Sequence, residues 1–170
     1  MTKNAIVQKG DKVLRTKARE VPIKEITSPK IKKIIERMGK ALASTKDGVA
    51  LAAPQIGVPL RIFIVDKNFL EARPETEKRE KIERWSFINP KILKKSRQKK
   101  LVSEGCLSVK GIYGRIKRAE KVKIEAYDEE GRKFTYGASG LLAQIFQHEI
   151  EHLDGILFID KAEELWKIET

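Results

Sequence analysis

An α+β fold is predicted by three features of the chain: an early amphipathic helix, a series of short strand-like runs read as antiparallel, and a late helix that is apolar around much of its circumference. The early helix opens at Ser28-Pro29, a capping residue followed by a proline at the first helical position. Ile31, Ile34, Ile35, Met38 and Leu42 then recur at helical spacing until about Thr45, and Asp47-Gly48 breaks the pattern. Arg61 to Asp66, RIFIVD, is a short apolar run suited to a buried strand, whereas residues 67–84 are charged and read as a surface excursion. WSFINPKIL, KKLVSEG, KVKIEAYD and RKFTYG follow as strands, the last two joined in a hairpin by Glu129-Glu130-Gly131. The late helix runs from about Ser139, a candidate N-cap, to Leu153, with Gly155 as its stop. Leu141, Leu142, Ile145, Phe146, Ile150 and Leu153 spread apolar groups widely around it, which predicts a helix packed inside the core.

With 170 residues the chain is expected to form one domain, residues 1–170, able to bury a core without covalent staples. Its N-terminus lacks an apolar signal core and no run is long enough to span a bilayer, so a cytoplasmic, membrane-free protein is expected. The single cysteine, Cys106, excludes an intramolecular disulfide and fits a reducing compartment. The net charge is +12, and Lys91 to Lys100 carries no acid, a surface that favours anionic partners. A solvated face is the blander explanation. No aromatics interleave that run and no RNA-binding motif accompanies it, so sequence-specific nucleic-acid binding is not expected.

The two histidines of the chain, His148 and His152, lie one turn apart on the late helix, on the same face as Ile145 and Glu149. Two core histidines satisfied by hydrogen bonds would be the structural alternative. Burying two imidazoles and a carboxylate together is costly unless a metal or partner compensates, so the H-E-x-x-H pattern reads as a metal site. Its glutamate is placed to move a proton to and from a reacting water, which points to amide hydrolysis. The third ligand decides the type. The longer motif H-E-x-x-H-x-x-G-x-x-H is followed through Gly155, but Phe158 occupies its last histidine position. Glu163, Glu164 and Glu169 lie too near the C-terminus to return easily to the helix. Cys106 remains as a soft donor, although a small buried hydrophobe is the commonest fate of a free cysteine. A thiolate with two imidazoles suits Zn(II) or Fe(II) and leaves a fourth position open.

Three segments, GVALAAPQ at Gly48 to Gln55, EGCLS at Glu104 to Ser108 and QHEIEHLDG at Gln147 to Gly155, resemble in order and separation the three motifs of peptide deformylases. The resemblance extends over nearly the whole chain and is loosest across residues 67–84. It implies antiparallel β-sheets packed around a central metal-bearing helix, and a hydrolase that removes the formyl group from the N-terminal methionine of nascent polypeptides. It also implies that Cys106, His148 and His152 hold one divalent ion, Fe(II) being the physiological metal in much of the family and Zn(II) or Ni(II) common replacements. Glu149 would be general base and then acid as water held at the metal attacks the formyl carbon. Gln55 and the backbone N–H of Leu107 would stabilise the oxyanion, and Gly48, Val49, Ala50, Gly105 and Ile145 would meet the substrate. Glu104 and Arg118 are expected to support the ligands from behind.

The chain departs from the family pattern at Ala50, where a glycine is usual, at Glu151, where an aspartate is usual, and at Lys110, where a proline often stands. Formyl-methionyl nascent peptides are the expected partners, with an electrostatic ribosome contact through Lys91 to Lys100. The rival readings are a different zinc peptidase, against which Phe158 counts, and a basic RNA- or ribosome-associated protein with a structural metal. Structural zinc sites are closed by four ligands, and only three good ones are found here.

Overall fold

A computed structural model describes residues 5–69 and 82–168. Its described residues contain two α-helices, α1 (Pro29–Ala43) and α2 (Gly140–Leu153). They also contain eight strands: β1 (Ala50–Ala52), β2 (Ile62–Asp66), β3 (Arg84–Lys95), β4 (Lys99–Cys106), β5 (Val109–Ala119), β6 (Lys121–Tyr127), β7 (Lys133–Ser139) and β8 (Glu164–Lys167). They form an antiparallel five-stranded sheet in the order β1-β2-β3-β6-β7 and a three-stranded sheet in the order β4-β5-β8. The predicted α+β class is therefore observed. Of the charged excursion, residues 70–81 lie outside the described residues, while Arg84 already belongs to β3.

Side chains alternate across β2 because successive residues of a strand face opposite sides. Ile62 and Ile64 pack with Ile31, Ile35, Met38 and Leu42 of α1. Phe63 and Val65 pack with Ile145, Phe146, Ile150 and Leu153 of α2. Every residue of β2 is consequently buried, as its unbroken apolar run predicted. Phe63 stacks on Phe87 with centroids 4.6 Å apart, and Phe146 meets Phe87 edge-on at 5.0 Å, so aromatic packing fixes the helix against the sheet.

The ends of both helices follow their sequence signals. Ser28 Oγ accepts the Ile31 N–H at 3.4 Å at the start of α1. Ser139 occupies the cap position of α2 but makes no side-chain capping bond. At the other end, the Gly155 N–H donates to His152 O and the Ile156 N–H to Glu151 O, at 3.1 and 2.9 Å, closing a Schellman motif. Gly155 has φ 75°, and a Cβ there would lie 2.7 Å from the Arg15 carbonyl oxygen. Arg61 then donates to Leu153 O at 3.0 Å and pairs with Asp154 at 2.9 Å, placing positive charge at the negative end of the helix dipole.

Three strands were not anticipated, among them β1, whose three residues are too few to show alternation. The sequence of β5 mixes glycines and cations, which obscures its alternation, and β8 is exposed throughout, so neither shows a clear apolar pattern. Phe158, which stands where a further histidine would be, is buried with Leu14, Val109, Ile116 and Leu157 under the smaller sheet.

Gly155→Ala is expected to lower stability by about 1–3 kcal/mol, because it combines a left-handed backbone with a backbone clash, and urea denaturation would measure the loss.

Candidate metal centre and active site

Helix α2 presents His148, Glu149 and His152 toward the end of β4, where Cys106 lies. One donor atom each from Cys106, His148 and His152 falls within 4.8 Å of the others, and Cys106 Sγ is 3.2 Å from His152 Nε2. The three residues predicted as ligands are thus brought together. Gln147, the residue before the first histidine, anchors this helix to β5: its side chain accepts the Ala119 N–H and donates to Ala119 O, both at 2.9 Å, so it mimics a strand's own pairing. The sequence marks Gln147 only by its place in QHEIEHLDG, since α2 carries several other polar residues.

Behind His148 lies a buried chain of charges. His148 Nδ1 meets Glu104 Oε1 at 2.5 Å, which directs Nε2 toward the ligand cluster. Arg118 holds Glu104 with a two-pronged contact of 3.0 and 2.5 Å and reaches Glu151 at 2.8 Å with its third nitrogen. Lys161, half exposed, closes the row at 2.9 Å from Glu151. The Glu104 and Arg118 side chains are only 5% and 4% exposed, so an ordinary surface pair is excluded. Glu151, the departure from the family's aspartate, now has its partners: Arg118 and Lys161.

Burial would raise the pKa of Glu104, but hydrogen bonds from His148 and Arg118 outweigh it and hold it at about 2. Burial opposes charge on His148 as well, yet its bonds to Cys106 and Glu104 raise its pKa well above the ordinary value. His152, buried and close to His148, is driven well below its own. Between thiol and carboxylate, His148 is therefore favoured in its charged form, whereas His152 is favoured neutral. With one soft thiolate, two imidazoles and an oriented imidazole tautomer, these residues fit a divalent transition metal.

Burial pushes the Glu149 carboxyl up to about 7, the largest contribution being desolvation. One of its oxygens, Oε2, is buried without a hydrogen-bond partner among the described residues. Such a carboxyl is poised to exchange protons near neutral pH.

The cluster opens into a cavity of about 260 Å³ lined by Gly48, Val49, Ala50, Gly105, Leu107 and Ile145, the substrate and backbone positions expected from sequence, together with Gln55 and Glu149. Gln55 Oε1 accepts the Ala52 N–H at 2.9 Å, so its Nε2 points to Ser108 Oγ at 3.0 Å and lies 3.7 Å from Cys106 Sγ. Ala50 sits in extended β1 opposite Val65, a conformation open to any residue, which explains how its methyl is accommodated. Gly48 and Gly105 are required by space instead. A Cβ on Gly48 would lie 2.9 Å from Leu107 Cδ1, and one on Gly105 would lie 2.6 Å from the Tyr113 ring.

Sequence reasoning missed the residues that join the two loops of this cavity. The Val7 N–H donates to Gln55 O and the Lys9 N–H to Ser108 O, both at 2.8 Å, and Gln8 Nε2 donates to Leu107 O at 3.0 Å. An N-terminal segment without strand alternation gave no signal for that brace.

An H-E-x-x-H helix facing a cysteine at a strand end, inside an α+β fold, defines a metal-dependent hydrolase. Comparison with known proteins narrows the class. The family model described as polypeptide deformylase matches residues 3–167, and the chain belongs to that family. A peptide deformylase of Desulfitobacterium hafniense is 45% identical over 157 residues, covering 92% of this chain and 93% of the relative. Peptide deformylase 1A of Arabidopsis thaliana, chloroplastic/mitochondrial, is 43% identical over 162 residues; these cover 92% of this chain but 60% of that longer protein. Among solved structures, a Synechococcus elongatus peptide deformylase in complex with actinonin superposes with a TM-score of 0.78 at 33% identity, covering 94% of this chain and 78% of the other. A class I type b enzyme of Acinetobacter baumannii bound to Met-Ala-Ser gives 0.79 at 31%, covering 92% and 97%.

Cys106→Ser is expected to lower Zn(II) affinity more than Arg118→Met, for which a loss of about 10- to 100-fold is typical of an outer partner. Arg118→Met should also cost about 3–5 kcal/mol of stability by leaving buried carboxylates unpaired. Metal titration and urea denaturation of the same variants separate the two effects.

Proposed function

We propose that this chain, acting as a single catalytic domain over residues 1–170, removes the formyl group from the N-terminal methionine of newly made polypeptides and releases formate. The observation that carries the reading is the Cys106, His148 and His152 cluster with Glu149 beside it at the floor of a cavity. A divalent ion on those three donors would supply Lewis acidity and a more acidic water. Glu149 takes the proton from the attacking water and passes it to the departing methionine nitrogen, a role supported by its burial and raised pKa. The oriented amide of Gln55 and the backbone N–H of Leu107 donate to the oxyanion, each contributing about 3–4 kcal/mol to transition-state stabilisation. Gly48, Val49, Ala50, Gly105 and Ile145 form walls that meet the substrate. A formyl carbon carries only hydrogen beyond its carbonyl, so a close wall can reject acetyl by size.

Fe(II) is the ion we assign, with Zn(II) and Ni(II) as replacements, since the same donors suit all three. The cytoplasm is the compartment we assign. The described residues contain no helix long and apolar enough to cross a membrane. The exposed lysines and arginine between Lys91 and Lys100, at the β3–β4 connection, provide a docking surface for the ribosome.

Anaerobic assay with Fe(II) should give formate from formyl-Met-Ala-Ser and no acetate from acetyl-Met-Ala-Ser. Glu149→Gln should retain the ion and lose about 10²- to 10⁴-fold in kcat. Absence of formate from metal-replete protein would sink the proposal. Ribosome co-sedimentation should fall steeply with added salt, and salt-insensitive binding would contradict electrostatic docking.

A further inference from the structure

Away from the active site, α1 and the connection at residues 57–60 enclose a groove of about 710 Å³. Lys30, Lys33 and Arg37 line it from one face of α1, at positions i, i+3 and i+7. Arg19 enters from the side of the connection, where its N–H donates to Pro59 O at 3.0 Å and its carbonyl accepts the Arg61 N–H at 2.8 Å. Among the described residues no acidic side chain lines the groove, and none of the four cations is held by a carboxylate. Its floor is apolar. Ile34 is buried there, Val58 and Leu60 are half-buried, and all three pack on the same core cluster as Ile31, Ile35 and Met38. The groove is therefore backed by fixed structure on both sides, and an apolar centre rimmed by charge is the anatomy of a protein interface.

We propose that this groove is a docking site for an acidic amphipathic helix of a partner protein, with carboxylates on Lys30, Lys33, Arg37 and Arg19 and apolar side chains on the floor. The proposal is independent of the deformylase reading, because none of these residues lines the active-site cavity. Spacing selects a helix. Along α1 the three cations are separated by about 4.5 and 6 Å, the rise of three and four helical residues. A partner helix with acids at the same intervals meets all three, and its apolar stripe lies between them. Same-face residues of an extended peptide recur about every 6.8 Å, so such a peptide meets at most two. A single-stranded nucleic acid would answer the charge but leave the floor unused, since no aromatic side chain lines the groove for base stacking.

The test measures fluorescence anisotropy of a labelled helical peptide of repeating Glu-Glu-Leu-Leu against the metal-loaded full chain. A peptide of repeating Glu-Glu-Ser-Ser, equal in charge, and a short single-stranded RNA serve as competing probes. The Leu-containing peptide should bind more tightly than the Ser-containing one, and Lys33→Glu combined with Arg37→Glu should weaken it by about tenfold or more. Lys94→Glu combined with Lys100→Glu changes the net charge equally at a distance, and it should leave the affinity within about threefold. Circular dichroism and urea denaturation check that each variant is folded. If the double reversal does not fold, Lys33→Gln combined with Arg37→Gln replaces it, with a loss in the same direction expected. Equal losses in the groove and distant variants, or no loss in the groove variant, overturn the proposal. Equal binding of the two peptides also overturns it, because the apolar floor is then unused. RNA that binds more tightly than either peptide and is released by the groove variant overturns it in favour of a nucleic-acid site.

Discussion

One buried guanidinium sets the terms for the whole site. Arg118 lies between Glu104 and Glu151, two carboxylates that the fold has withdrawn from water. Each of these charges alone would be expensive to bury, and breaking one such pair leaves its partner exposed to that cost. The arrangement also has direction. Glu104 belongs to β4 and Glu151 to α2, so a single side chain from β5 ties the smaller sheet to the metal-binding helix. The same tie turns His148 through Glu104, so the ring nitrogen that faces the cluster is chosen by a contact made from behind.

Around that point the two sheets play different parts. The five-stranded sheet holds α2 from one side by apolar contact, through Phe63, Phe87 and Phe146, and gives the helix its depth. The smaller sheet brings Cys106 to the helix and fixes the approach by polar contacts, through Gln147 on Ala119 and Arg118 on the two carboxylates. Apolar packing alone would tolerate sliding, whereas directed hydrogen bonds do not. The N-terminal residues 7–9 then clamp the Gln55 and Leu107 segments to each other by main-chain and amide bonds. A metal cluster needs such fixed donors because errors of a few tenths of an ångström alter its ligand distances.

Much of the site was legible in the chain because its groups lie close in sequence or are chemically rare. The His148, Glu149 and His152 spacing follows from helix periodicity, and Cys106 was the remaining soft donor. The Glu104 and Arg118 pairing was expected, and both side chains are buried. Glu151 could not be understood from its neighbours, because its partners come from β5 and from the turn beyond α2. Gln8 and Ser108 were equally silent. Each is an ordinary polar residue until a distant backbone or side chain is placed against it.

By itself the sequence determined the two helices, the buried β2 and the chemistry of the donor set, since each is encoded by local periodicity or by the scarcity of its residue types. Only the tertiary structure decided what lies across a gap: the β5 and β8 pairing, the burial of Arg118, and the groove that Arg19 shares with α1. The physical reason is that strand register and charge compensation belong to pairs of segments, and neither segment carries the address of the other.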